Sequence, residues 1–210
     1  MRRSARVLGI LCTVGALWGA EVQGQQAPLA SFGVQAGAIA PQTTLPDGSS
    51  HASGAAVGAT GMVWPLRYLG ARLSVAYGKT AGVHGEEFSA AAAHDPKVWL
   101  YSAEVAVRYP FEGGGVVWFP YLSAGPGGKS YRWAIDRPRI GDSALALTYG
   151  GGVDIRPRGL RGVGVVVDVR NYRSRYMWHG LGVRATVPDY EAHGPMLNDL
   201  LVTAGITISR

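Results

Sequence analysis

Eight stretches of this chain alternate apolar residues with small or polar ones at a period of two. They cover about 29–40, 54–64, 69–78, 99–109, 118–128, 145–156, 163–170 and 198–210. Such alternation sends successive side chains to opposite faces of a β-strand. In Trp99-Leu100-Tyr101-Ser102-Ala103-Glu104-Val105-Ala106-Val107-Arg108-Tyr109 the odd positions are apolar, with aromatics at both ends. In Leu200 to Ser209 the positions Leu200, Val202, Ala204, Ile206 and Ile208 oppose Leu201, Thr203, Gly205, Thr207 and Ser209. A chain patterned this way is all-β, and beyond its first two dozen residues it has no apolar run long enough for a spanning helix.

The connections carry a second pattern. Pro41–Ser53 is long and Pro65–Tyr68 tight, Lys79–Pro96 long and Pro110–Val117 shorter. Gly128–Ser143 is then long, Pro157–Arg161 tight, and Arg173–Leu197 the longest. Up-and-down barrels of outer membranes alternate short periplasmic turns with long external loops in this way. Strands of about ten residues also suit a tilted bilayer crossing. The last connection includes Trp178–Val187, which has extended character; the expected arrangement is a protruding hairpin rather than a ninth spanning strand.

The first residues fit export. Met1-Arg2-Arg3-Ser4-Ala5-Arg6 is basic, Val7–Ala20 is apolar, and Val22-Gln23-Gly24 offers a cleavage site. The expected division is a signal peptide over 1–24 and one barrel domain over 25–210, with cleavage after Ala20 as the alternative. Cys12 would leave with the signal, and Leu11 before it argues against lipid attachment. The remaining chain has no cysteine, hence no disulfide and no metal-type Cys/His spacing. The formal charge falls from +6 to +4 on cleavage, 17 basic residues against 13 acidic. That excess does not suggest nucleic acid.

The non-apolar parity holds Arg72, Ser74, Ser102, Glu104, Arg108, Thr148, Asp154, Arg156, Asp168 and Arg170. In a narrow barrel these residues face the lumen, and charges there need mutual pairing to offset desolvation. Expected pairs are Arg72 with Glu104 and Asp154 with Asp168 or Arg170. Tyr77, Trp99, Tyr101 and Tyr109 stand where aromatic girdles would lie. A soluble lipocalin-like barrel would invert the scheme, with apolar residues inward.

On these features the chain resembles the small outer-membrane β-barrels of the eight-stranded kind typified by the OmpA transmembrane domain. Pro120-Tyr121-Leu122-Ser123-Ala124-Gly125-Pro126-Gly127 and Tyr149-Gly150-Gly151-Gly152-Val153-Asp154 are phrases of that family. Its last strand usually carries a signal for the barrel-assembly machinery. Thr203-Ala204-Gly205-Ile206-Thr207-Ile208-Ser209 follows that signal, but Arg210 replaces the terminal aromatic. The resemblance implies an outer-membrane monomer surrounded by lipid, including lipopolysaccharide, with no cofactor. A diffusion porin is disfavoured because eight strands leave no useful aqueous channel.

Barrels of this shape include lipid A deacylases, which use a His-x-Ser pair with a Glu. His51-Ala52-Ser53 is the local match, with Glu86 or Glu87 as the carboxylate. No motif of the palmitoyltransferases is present. His84, His94, His179 and His193 are scattered over the loops without ligand spacing. A basic group is more suggestive. Arg132, Arg137 and Arg139 fall in the third long connection, and Arg170, Arg173 and Arg175 approach the fourth. Tyr131, Trp133, Tyr172, Tyr176 and Trp178 interleave with them. Arginine forks suit phosphate and aromatics suit sugars or headgroups; the alternative is a rim salt-bridged to Asp136, Asp142 and Asp189. The expectation is a non-enzymatic surface or envelope-stabilising barrel, with a lipid A-modifying enzyme as the competing class.

Overall fold

The structure, a computed structural model, describes residues 28–42, 50–51, 53–80, 83–84, 97–134, 139–160, 162–175 and 196–210. Eight long strands dominate it: β1 (Ala30–Pro41), β2 (Gly54–Val63), β3 (Leu69–Thr80), β4 (Lys97–Arg108), β5 (Val116–Ala134), β6 (Arg139–Pro157), β7 (Val163–Arg175) and β8 (Met196–Ser209). Each pairs antiparallel with its neighbour in sequence, and β1 pairs with β8, so the sheet closes. All eight alternating segments are therefore strands of one up-and-down barrel.

The register fixes its shape. Stepping across paired residues from Ala30 leads through Val63, Ala71, Val105, Ala124, Tyr149, Asn171 and Leu200. The path re-enters β1 at Ala40, ten residues beyond its start. With a rise of ~3.3 Å per residue and ~4.8 Å between strands, that stagger tilts the strands by about 41° and gives a backbone radius of about 8 Å. The interior is thus wide enough only for side chains.

The inside and outside are inverted relative to a soluble barrel. Arg72 is 2% exposed, whereas Leu122 on the outer surface is 66% exposed. Phe32, Leu73, Val105, Leu147, Ile206 and Ile208 are likewise exposed, while Glu104, Asp168 and Arg170 are buried. The lipocalin-like arrangement is not the one adopted. Aromatics border the outer apolar band at both ends. Tyr68 stacks on Tyr109 at 6.0 Å and Phe111 on Trp118 at 6.1 Å near the termini. Tyr77 meets Trp99 at 5.0 Å near the opposite end. From Trp99 to Tyr109 along the tilted β4, the band is about 25 Å tall.

The end holding residues 28 and 210 is the near end, and its turns are tight. Pro110 interrupts the ladder, after which Phe111–Gly113 folds back on the start of β5. Gly114 and Gly115 close that hairpin with φ of 60° and 78°. Two successive residues in the left-handed region make the primed turn that matches strand twist, and glycine enters that region without steric cost.

At the far end the ladders run past the barrel body. β5 and β6 stay paired up to Ala134 opposite Arg139. The expected long loop Gly128–Ser143 is therefore mostly a raised hairpin, its connection reduced to 135–138. The apolar alternation fades there because an outward face beyond the lipid band needs no apolar residues, while backbone pairing continues. The β2–β3 ladder continues similarly in a short pair, with Ser50 opposite His84 and His51 opposite Val83. The hairpin expected between β7 and β8, including Trp178–Val187, lies outside the described residues.

Candidate functional site: a filled lumen beneath a basic rim

Inward positions recur at every second residue, so the lumen is built from parity alone. Its middle holds Arg72 from β3, Glu104 from β4, Asp168 and Arg170 from β7, with Tyr121 and Ser123 from β5. Arg72 and Glu104 face each other in register and pair at 3.5 Å. Arg72 also reaches Asp168 at 3.4 Å and donates to Thr60 at 3.2 Å. Arg170 pairs with Glu104 and, at 2.9 Å, with Asp168. Ser123 donates to Glu104 at 2.6 Å, and Ser102 and Tyr121 donate to Glu104 and Asp168. Two guanidinium groups thus meet two carboxylates, and every carboxylate oxygen is engaged. Arg72 leaves its Nε and Nη1 without a hydrogen bond, so it is the ion pairs and the fully met carboxylates that let charge stay out of water.

Gly152 makes room for this layer. A Cβ there would stand 2.6 Å from the Tyr121 hydroxyl and 2.4 Å from the Val167 carbonyl oxygen. Only glycine lets β6 run beneath that ring.

Toward the near end, Asp154 pairs with Arg156 rather than with Arg170, correcting the expected pairing. In the β6–β7 register Asp154 stands opposite Val166 and Arg170 opposite Gly150, four residues away, and Arg170 is drawn to the β4 carboxylate instead. Arg108 lies over the Trp64 ring at 4.2 Å and donates to the Arg67 and Pro28 carbonyl oxygens at 3.2 and 3.1 Å. It closes this end with a cation–π stack and backbone bonds. Toward the far end the middle layer is capped by buried apolar residues: Ile39, Ala56, Ala76, Val98, Leu100, Ala146, Tyr172 and Leu201.

A further ion pair sits at that level. Lys129, fully buried, reaches Asp199 at 2.7 Å and donates to the Tyr172 carbonyl oxygen at 3.2 Å. Sequence reasoning missed it by ending the β5 pattern at Gly128. The signal was present, since Lys129 shares parity with Phe119, Tyr121 and Ser123, and Asp199 with Leu201 and Thr203.

The basic group expected at the surface divides. Arg170 and Tyr172 are buried, because even positions of β7 face inward, so neither belongs to a surface patch. Arg173 is exposed, and Arg175 ends β7. Arg132 and Trp133 lie on the raised part of β5, and Arg139 opens β6. They belong to strands, not to a loop. Arg137, Tyr176 and Trp178 lie outside the described residues. So does Glu86, while Ser53 is exposed and His51 pairs with Val83 along the backbone. Among the described residues no group of three His, Cys, Asp or Glu side chains is placed to hold a metal.

The outer membrane protein OprG from Pseudomonas aeruginosa superposes over 88% of this chain and 97% of its own, with a TM-score of 0.51 at 12% identity. The fold is that of the small outer-membrane barrels. Neisserial surface protein A covers 86% of this chain and 99% of its own, with a TM-score of 0.49 at 16% identity. The attachment invasion locus protein of Yersinia pestis covers 85% and 99%, with a TM-score of 0.42 at 14% identity. No family model and no curated protein matches the sequence.

Proposed function

We propose that the chain is an integral outer-membrane protein with its near end in the periplasm, serving a non-enzymatic surface-interaction or envelope-stabilising role through its far end. One observation carries this reading: an exposed apolar band about 25 Å tall, bordered by aromatics and wrapped around a charged, filled lumen. Water is the wrong solvent for that exterior, since soluble monomers rarely expose apolar patches above a few hundred Å². The height matches the apolar belt of outer-membrane barrels. Export of the chain by residues 1–24 and delivery to the barrel-assembly machinery are part of the same reading. A filled interior of about 8 Å backbone radius favours binding at the rim over transport through the middle.

Fractionation of cells expressing the full chain tests the location. The protein should sediment with outer membranes and migrate differently on gels before and after boiling. A chain recovered only as soluble periplasmic protein would sink the reading. Mass spectrometry of lipid A from cells with and without the gene tests the role, and a changed acyl pattern would transfer the chain to the enzymes.

A further inference from the structure

On the outer surface of the far end, Lys79 of β3 stands directly opposite Lys97 of β4, and Lys97 directly opposite Arg132 of β5. Three basic residues thus occupy one row across three adjacent strands. The two lysines share the outward parity of their strands, Lys79 with Leu73 and Val75, Lys97 with Trp99 and Tyr101. Both lysines are exposed. Like charges directly opposite on one face destabilise a strand pair. Among the described residues neither lysine has a carboxylate partner to relieve that repulsion. On the Arg132 side the next register position is Gly141.

What lies below the row indicates what covers it. One step nearer the barrel body come Tyr77, Trp99, Ser130 and Ser143, in register across the same strands and β6. Tyr77 and Trp99 are in contact, and Ser143 donates to Ser130 at 3.1 Å. One step further come Val75, Tyr101, Gly128 and Leu145. Leu145 is 85% exposed. Descending the barrel wall, a molecule would therefore meet cations, then hydroxyls and aromatic edges, then a purely apolar surface. The basic row lies about 5 Å above the upper aromatics, at headgroup height for a lipid whose chains lie along the band.

We infer that the β3–β5 wall is a docking site for a phosphate-bearing glycolipid of the outer leaflet, its phosphate between Lys79 and Lys97. Its sugar would lie against Tyr77, Trp99 and the serine pair, and its acyl chains along Tyr101 and Leu145. The inference rests on the membrane-spanning reading above and adds the ligand class and the residues. The anion resolves the cross-strand repulsion between the lysines, and charge-assisted bonds are the stronger kind.

The test uses the folded full-length protein in neutral detergent, mixed with diphosphoryl lipid A and separated by size-exclusion chromatography. Native mass spectrometry then counts the retained lipid. The unaltered protein should retain it, and K79S/K97S should lower retention at least about tenfold, equivalent to the loss of one charge-assisted contact. R67S/R158S, which removes two exposed cations at the near end, should leave retention unchanged. Lipid A stripped of its phosphates should be held no better by the unaltered protein than by K79S/K97S. Retention unaffected by K79S/K97S, or equal for the stripped lipid, overturns the inference.

A stability measurement guards against a merely structural effect. K97S should raise the urea midpoint in neutral detergent, where it relieves repulsion, and lower it when diphosphoryl lipid A is present. A change of the same sign in both media also overturns the inference. A chain that never reaches the outer membrane defeats the reading under Proposed function, whereas an intact, membrane-inserted barrel indifferent to these variants defeats only the lipid site.

Discussion

Two layers of the same lumen solve the filling problem differently. The middle layer fills its cross-section with Arg72, Glu104, Asp168 and Arg170, and the layer above fills it with Ile39, Val98, Leu100 and Leu201. Both are dry, and both are made by inward positions of the same strands. β4 contributes Leu100 to one and Glu104 to the other, two inward steps apart. Apart from the Lys129–Asp199 pair at its level, the apolar layer needs only complementary volume, so its apolar members are interchangeable within limits of size. The ionic layer needs each partner, because every group it holds was taken out of water on the strength of the others. Stability in the first is spread over contacts; in the second it is conditional.

That contrast can be broken in order of expected effect. Glu104→Ala should cost most, about 3–5 kcal/mol, because it leaves Arg72 and Arg170 sharing the single carboxylate of Asp168 in a dry interior. Urea titration of the refolded barrel reads this loss. Adding Arg170→Ala should recover part of it, and strictly additive costs would contradict a shared network. Leu100→Ala should cost about 2–4 kcal/mol by cavity formation alone. It should be partly rescued by enlarging a facing alanine such as Ala146 or Ala56, a rescue the ionic layer would not allow. Tyr121→Phe removes one hydroxyl donor from Asp168 and should cost about 1–2 kcal/mol. Glu112→Ala is the smallest test. Its ion pair with Arg158 is of the same kind but half in water, with side chains 39% and 57% exposed, so the midpoint should move by less than about 1 kcal/mol. A large effect there would mean that burial is not what separates the layers.

Much of the barrel was legible because period two is a geometric necessity of strands. Leu73 and Arg72 reveal their faces by position alone, whatever the register. The partners were less legible. Arg72 and Glu104 meet because their register brings them level, whereas Asp154 and Arg170, also on neighbouring strands, do not. Which residues stand level depends on the register of each strand pair, which no single segment reveals. Lys129 and the basic row were hidden for another reason. Beyond Gly128 the outward face leaves the apolar band, the alternation loses its contrast, and a continuing strand reads as a loop. Parity placed Arg170 in the lumen, but nearness in sequence to Arg173 also drew it and Tyr172 into a surface patch, although one residue in a strand is a change of side.

The seam between β1 and β8 has its own consequence for how this molecule comes to exist. Ala30 and Arg210 exchange backbone hydrogen bonds at 3.4 and 3.1 Å, so the earliest strand finds one of its two neighbours only when the latest arrives. Until then both edges of the sheet offer unpaired donors and acceptors to any other chain. The pairing of greatest sequence separation is also the one that completes the ring, and closing so long a segment is slow. A growing barrel of this kind is therefore safest when its first edge is sheltered until the eighth strand is in hand. The joint that makes the finished cylinder edgeless is the same joint that makes every unfinished one adhesive.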